Sequence, residues 1–208
     1  LMEDSSVLES GELFDDNYTL KPGRDDWQIY KSPQPGHEYI VSVDTAHGVE
    51  DGDFSCIQIL DRNTREQVAE LYARIPPDVT ASQAKLAATF YNSALLVPEI
   101  DGPGLAVIKE LLDSDYMNLY VRNINAANWT QRYGFRTQAK DQRDSAIAAV
   151  AKAIRLETHT FHSLRFLNEC KVFIETQSKR CEAMPGEHDD AVMAMAIAMT
   201  ASSCSPGM

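Results

Sequence analysis

Apolar and polar positions divide this chain into a sparse N-terminal stretch and a densely patterned remainder. From His37 onward, "HEYIVSVDTA" (37–46) is a β-branched apolar run that meets a polar, glycine-containing stretch. It predicts a buried strand ending near Asp44. "FSCIQILDR" (54–62) and "EQVAELYARI" (66–75) predict two more strands, separated by the turn-like "DRNTR", and together the three form an antiparallel meander. In "TASQAKLAATFYNS" (80–93), Ala84, Ala87, Ala88 and Tyr91 recur at helical spacing behind Thr80 as an N-cap. "ALLVPEI" (94–100) reads as a short buried strand, "GPGLAVIKELLDS" (102–114) as a helix and "NLYVRNI" (118–124) as another strand. A polar loop over 125–143 leads into the helical "DSAIAAVAKAIRLET" (144–158), and "SLRFLNECKVFIE" (163–175) passes from helix to strand. The last helix is predicted from Asp189, through "AVMAMAIAM".

Three strands, a helix, and then alternating strands and helices describe an α/β domain with a mixed sheet flanked by helices. That order is the one found in ribonuclease H-like folds. Residues 1–37 are polar, acidic and rich in turn formers, and are expected to be a linker or peripheral arm; residues 38–208 are expected to form the domain. The start at Leu1 rather than a methionine reads as a piece of a longer protein.

With 208 residues and 44% hydrophobic composition, the chain can bury one sizeable core. Cys56, Cys170, Cys181 and Cys204 are scattered without a CxxC pair, which argues against a zinc knuckle or disulfide framework and favours a reduced, intracellular setting. No apolar run approaches the length of a membrane span, and no signal peptide or Walker-type phosphate loop can be found.

The candidate chemistry lies in carboxylates at the ends of elements, where open α/β sheets gather ligands. Asp44 stands near the end of the first strand of the meander, Glu99 at the end of "LLVPE", and Asp189 and Asp190 in "GEHDD" before the final helix. If the strands bearing Asp44 and Glu99 are neighbours, all four reach one point. Mutual repulsion within such a cluster is relieved by hard divalent cations, and two such ions can hydrolyse a phosphodiester. Each residue also has an ordinary explanation. Asp44 could simply end a strand, "IDGPG" makes Asp101 an expected turn residue, and a lone histidine such as His188 is usually neither ligand nor catalyst. His47, Asp51 and Asp53 read as a solvated loop. Of the final pair, Asp190 is favoured as the ligand and Asp189 as the helix cap.

"VSVDTAHGVEDGDFSCIQIL", "LLVPEIDGPG" and "GEHDDAVMAMAIA", in that order, resemble the three acidic motifs of the nuclease domain of the large terminase subunit of tailed bacteriophages. "YGFRTQAKDQR" (133–143) resembles the stretch between the second and third motifs. The resemblance implies a ribonuclease H-like, Mg²⁺- or Mn²⁺-dependent endonuclease with two ions, cutting concatemeric double-stranded DNA during packaging. By position, Asp44 and Glu99 match the first two acids and Asp189 or Asp190 the third. Asp101 departs from the pattern, since many relatives have Asn there. The resemblance also implies an N-terminal packaging ATPase outside this chain, portal and small terminase subunits as partners, no membrane, and the host cytoplasm as the setting. A RuvC-like junction resolvase and a non-catalytic ribonuclease H-like docking module are the competing readings. An actin-like ATPase fits less well, for want of a second phosphate loop.

A net charge of -12 is awkward for a DNA-binding protein, but the charge is unevenly spread. Residues 1–38 hold nine acidic against three basic residues, whereas 119–155 hold seven basic against two acidic. Arg132, Arg136, Lys140 and Arg143, interleaved with Trp129, Tyr133 and Phe135, are the expected DNA-binding residues.

Overall fold

The computed structural model describes residues 7–138, 140–175 and 181–203, leaving the side chains of Lys140 and Glu175 outside the description. Cys204 also lies outside the described residues. The chain runs through β1 (Glu9–Gly11), β2 (Trp27–Ile29), β3 (Tyr39–Asp44), β4 (Ser55–Asp61), β5 (Glu66–Ala73), α1 (Pro77–Phe90) and β6 (Leu95–Pro98). It continues through α2 (Gly104–Asp113), α3 (Trp129–Arg132), α4 (Lys140–Arg155), α5 (Leu164–Val172), β7 (Phe173–Glu175), β8 (Cys181–Ala183) and α6 (Asp190–Ser203). Among the described residues, six strands form one mixed sheet in the order β1-β2-β5-β4-β3-β6, and β7 and β8 form a separate antiparallel pair. The meander and the helix-flanked mixed sheet are as the hydrophobic pattern predicts.

Side chains alternate across a strand, so parity decides which face each residue serves. In β3, Val41 and Val43 face a core shared with Ala84 and Ala88 of α1, Tyr91 just after that helix, and Val107 and Leu111 of α2. Ile40 faces the opposite core, with Val97 of β6, Val150 of α4, Phe166 of α5 and most of α6. Ser42 has the parity of Ile40, and its Oγ donates to the Ala194 carbonyl of α6 at 2.7 Å. Asp44 has the same parity and therefore opens on the α6 side. Because α6 is apolar around its whole circumference, it can only be buried, and its alanines at 191, 194, 196 and 198 are all fully covered.

Part of the segment expected to be a linker or peripheral arm is built into the sheet. β2 pairs antiparallel with β5, bringing Trp27 opposite Leu71, and Trp27 is fully buried. Its Nε1 donates to Gln83 Oε1 at 3.0 Å, and the same oxygen accepts the Phe14 N–H at 2.8 Å. β1 and β2 thus cover the β5 side of the meander.

Three local expectations are corrected. Residues 118–124 do not form a regular strand: Leu119 bridges Leu96 and Val121 bridges Tyr133. The cause is a change of partner, because the Tyr120 N–H bonds to Leu96 at 2.9 Å while the Arg122 N–H already bonds to Arg132 at 2.7 Å. Thr80 is inside α1 rather than capping it, since Pro77 starts the helix with its φ preset; Thr80 Oγ1 bonds to the Pro76 carbonyl at 3.0 Å instead. The polar loop is also shorter than expected, holding α3 and giving way to α4 at Lys140.

Trp27→Ala should cost about 3–5 kcal/mol, the usual loss for a large aromatic removed from a core. Urea unfolding measures this directly, and a loss below about 1 kcal/mol would mean that β2 is not part of the folding unit.

Candidate metal centre

The parallel pairing of β3 with β6 sets Val43 opposite Pro98, and the Glu99 N–H continues the ladder to the Val43 carbonyl at 2.9 Å. The next residue on each strand is a carboxylate, Asp44 beside Glu99, and matching parity puts both on the α6 face. Gly104, at the start of α2, is required by close approach. A Cβ there would lie 2.1 Å from the Glu99 carbonyl oxygen, so only glycine lets α2 begin against this strand end.

Asp190 arrives from the other direction as the first residue of α6. It is 8% exposed, and its Oδ2 accepts the Phe54 N–H at 3.4 Å and the Tyr72 hydroxyl at 3.2 Å. His188 Nδ1 lies 3.5 Å from the same oxygen and 3.9 Å from Asp53 Oδ1. Asp189, in contrast, is paired with a cation, Arg143 Nη2 lying 3.2 Å from its Oδ2. Asp44, Glu99, Asp189 and Asp190 all line one cleft of about 720 Å³.

The electrostatics are those of crowded acids. Burial pushes the Asp44 carboxyl well above the usual carboxylate range, and Glu99, Asp190 and Asp189 push it further. Burial likewise raises Glu99, opposed by a hydrogen bond with Asp44 and by the Arg143 charge. Asp190 is raised to about 6, chiefly by burial, against the Phe54 N–H that favours its ionised form. Thr137, itself buried, donates its hydroxyl to Glu99 Oε1 and holds that side chain from the far wall.

This donor set suits a hard divalent cation. It consists of carboxylate oxygens whose proximity raises the cost of their own ionisation, and the Thr45 hydroxyl beside them is buried with no hydrogen-bond partner among the described residues. Among those residues, no three His, Cys, Asp or Glu side chains close around a single point as a preformed metal cage would. The carboxylates line the cleft walls instead. Asp44, Glu99 and Asp190 are residues of that lining that could hold an ion.

Asp189 occupies the N-cap position by its backbone, its carbonyl accepting the Met193 N–H at 2.8 Å. Its side chain does not perform the cap expected of it, because Arg143 takes that carboxylate. The capping acceptor is Glu169 of α5, whose Oε2 receives the Ala191 and Val192 N–H groups at 2.8 and 3.1 Å. Glu169 is buried and raised to about 7, mainly by that burial. Sequence reading missed it, although its position three residues after Phe166 puts it on the buried face of α5.

The expected DNA-binding residues separate. Arg136 is half exposed at the cleft rim, 3.5 Å from Asp101 Oδ1, while Asp101 Oδ2 accepts the Gln138 N–H at 2.8 Å. Asp101 thus latches the loop, in keeping with a turn role. Arg132 is partly buried, with its guanidinium 5.6 Å from the Tyr133 ring centre. Arg143 is turned inward. Lys140 starts α4, but its side chain lies outside the described residues. The Asp53 side chain is well exposed, as a solvated loop would have it.

No protein-family model matches this chain, and no curated protein sequence does. Solved structures do. The large terminase nuclease from thermophilic phage G20c with bound magnesium superposes with a TM-score of 0.69 at 20% identity, covering 86% of this chain and 88% of that one. The cobalt-bound form gives 0.70 at 19%, covering 96% and 97%. The large terminase nuclease domain of Thermus phage P74-26 gives 0.67 at 18%, covering 95% and 93%. This chain has the large terminase nuclease fold. At such low identity the likeness is one of architecture, extending over nearly the whole described chain.

Glu169→Ala should cost about 1–3 kcal/mol by leaving two N–H groups at the buried start of α6 without an acceptor. Glu169→Gln, whose amide oxygen can still accept, should lose less than half as much. Equal losses for the two variants in urea unfolding would contradict the capping role.

Proposed function

We propose that this chain is the metal-dependent endonuclease domain of a phage DNA-packaging terminase, cutting concatemeric double-stranded DNA by two-metal phosphodiester hydrolysis. The observation that carries the reading is the convergence of Asp44, Glu99 and Asp190 on one cleft, in a fold shared with nucleases crystallised with magnesium and cobalt. Mg²⁺ or Mn²⁺ held by Asp44, Glu99 and Asp190 would supply an activated water and charge stabilisation at the leaving oxygen. The protein's own part is positional. Asp44 and Glu99 are set by strand register, and Asp190 is fixed by the Phe54 N–H and the Tyr72 hydroxyl. Those donors hold the carboxylate in place while leaving it at the cleft wall.

DNA would approach along the rim that carries Arg136, with Arg132 and Lys140 on the same segment of chain. The net charge of -12 makes weak intrinsic affinity for DNA an expected property. Delivery by a packaging ATPase, with portal and small terminase subunits, would compensate for it. A nuclease that binds poorly alone spares the genome being packaged. No helix among the described residues is long and apolar enough to cross a membrane. Action in the host cytoplasm accords with such a role.

The purified chain should nick and cut plasmid DNA when Mn²⁺ or Mg²⁺ is added, and EDTA should abolish this. Asp44→Asn should reduce cleavage by at least about 100-fold, as expected when a charge essential to the transition state is removed, with unchanged circular dichroism. Cutting of four-way junctions in strong preference to linear duplex would favour a junction resolvase. Absence of any metal-dependent cutting would return the chain to a docking module.

A further inference from the structure

Arg143 is in an unusual place for a cation. It lies in the first turn of α4, where the helix dipole disfavours positive charge, and its side chain is only 11% exposed. One terminal nitrogen serves two acceptors, the Cys181 carbonyl of β8 and Asp189 Oδ2, each at 3.2 Å. Its Nε is buried and has no hydrogen-bond partner among the described residues. The guanidinium lines the same cleft as Asp44, Glu99 and Asp190, and its charge favours the ionised form of Glu99. A buried charge with an unpaired donor is costly unless its surroundings compensate, and here the compensation is the carboxylate cluster.

We propose that Arg143 is the cleft's built-in counter-cation: by pairing with Asp189 it withholds that carboxylate from the ligand set, so divalent ions are held by Asp44, Glu99 and Asp190. This rests on the metal-dependent nuclease reading above. It assigns different duties to the adjacent acids of "HDD". Asp190 faces the ions, and Asp189 balances an internal charge and ties α6 to α4 and the β7–β8 pair. It also removes Arg143 from the DNA-binding set, since a guanidinium committed to Asp189 and a backbone carbonyl is not free to meet a phosphate. A released Asp189 would add a negative ligand, and ions would bind more tightly.

The test is calorimetric titration of Mn²⁺ into the DNA-free protein and into Arg143→Gln, Asp189→Asn, the double variant and Asp44→Asn, with folding checked by circular dichroism. Arg143→Gln should bind Mn²⁺ about tenfold more tightly, the gain expected from one freed carboxylate, and Asp189→Asn should stay within about threefold of the wild type. In the Asp189→Asn background, Arg143→Gln should then change affinity by less than about threefold, because there is no carboxylate left to release. The same tenfold gain in both backgrounds would overturn the proposal by showing that Arg143 acts through charge alone. A loss in Asp189→Asn as large as in Asp44→Asn would overturn it too, since Asp189 would already be a ligand. If Arg143→Gln does not fold, that comparison of Asp189→Asn with Asp44→Asn decides. Failure of the wild type to bind Mn²⁺ would reject the metal reading itself. Loss of binding in Asp44→Asn without a gain in Arg143→Gln would reject only the role of Arg143.

Discussion

The structure depends on the burial of α6 against the face of β3 and β4 that also carries Asp44. A helix apolar on every side has no solvent face, so it must be enclosed by the sheet beneath and by α4 and α5 around it. Enclosure brings its N-terminus, with Asp190 at the first position, to the carboxylate-bearing end of β3. The same packing that stabilises the fold therefore concentrates negative charge. Burial raises Asp44, Glu99 and Asp190, and specific donors meet the acids at the cleft: Tyr72 and Phe54 at Asp190, Thr137 at Glu99 and Arg143 at Asp189.

The start of α6 shows how closely stability and chemistry are joined. Its first free N–H groups are satisfied by Glu169, a residue on another helix, and this leaves Asp190 unencumbered by capping. Had Asp190 or Asp189 capped the helix, that carboxylate would be committed to the N–H groups of α6 itself. Long-range capping leaves Asp190 to the Phe54 N–H and the Tyr72 hydroxyl and Asp189 to Arg143. The α5 helix is thereby a support for the site as well as part of the core.

What could be read from the sequence follows from the range of the interactions involved. The β3–β5 meander, α1 and α6 were legible because their apolar periodicity is dense and local, and Asp44, Glu99 and Asp190 could be located because each stands at an end of such a run. β2 was not, since Trp27 is one buried aromatic in a polar stretch and its partners Leu71 and Gln83 lie far along the chain. Residues 118–124 misled because their composition is strand-like while their hydrogen bonds switch partners. The capping role of Asp189 was inferred from adjacency, the only relation visible in a sequence. Its actual partner, Arg143, and the actual cap, Glu169, come from helices that only the fold brings near. Parity along β3 and β6 required knowing that the two strands are parallel neighbours, which no local pattern states.

Ion binding by the cleft carboxylates is measured most directly by anomalous diffraction from crystals soaked in Mn²⁺ and recorded near the manganese edge. Anomalous density is expected in the cleft in contact with Asp44, Glu99 and Asp190, with Asp189 still bound to Arg143. Anomalous density confined to other parts of the surface, with the cleft empty at a Mn²⁺ concentration that supports cleavage, would contradict binding by these residues.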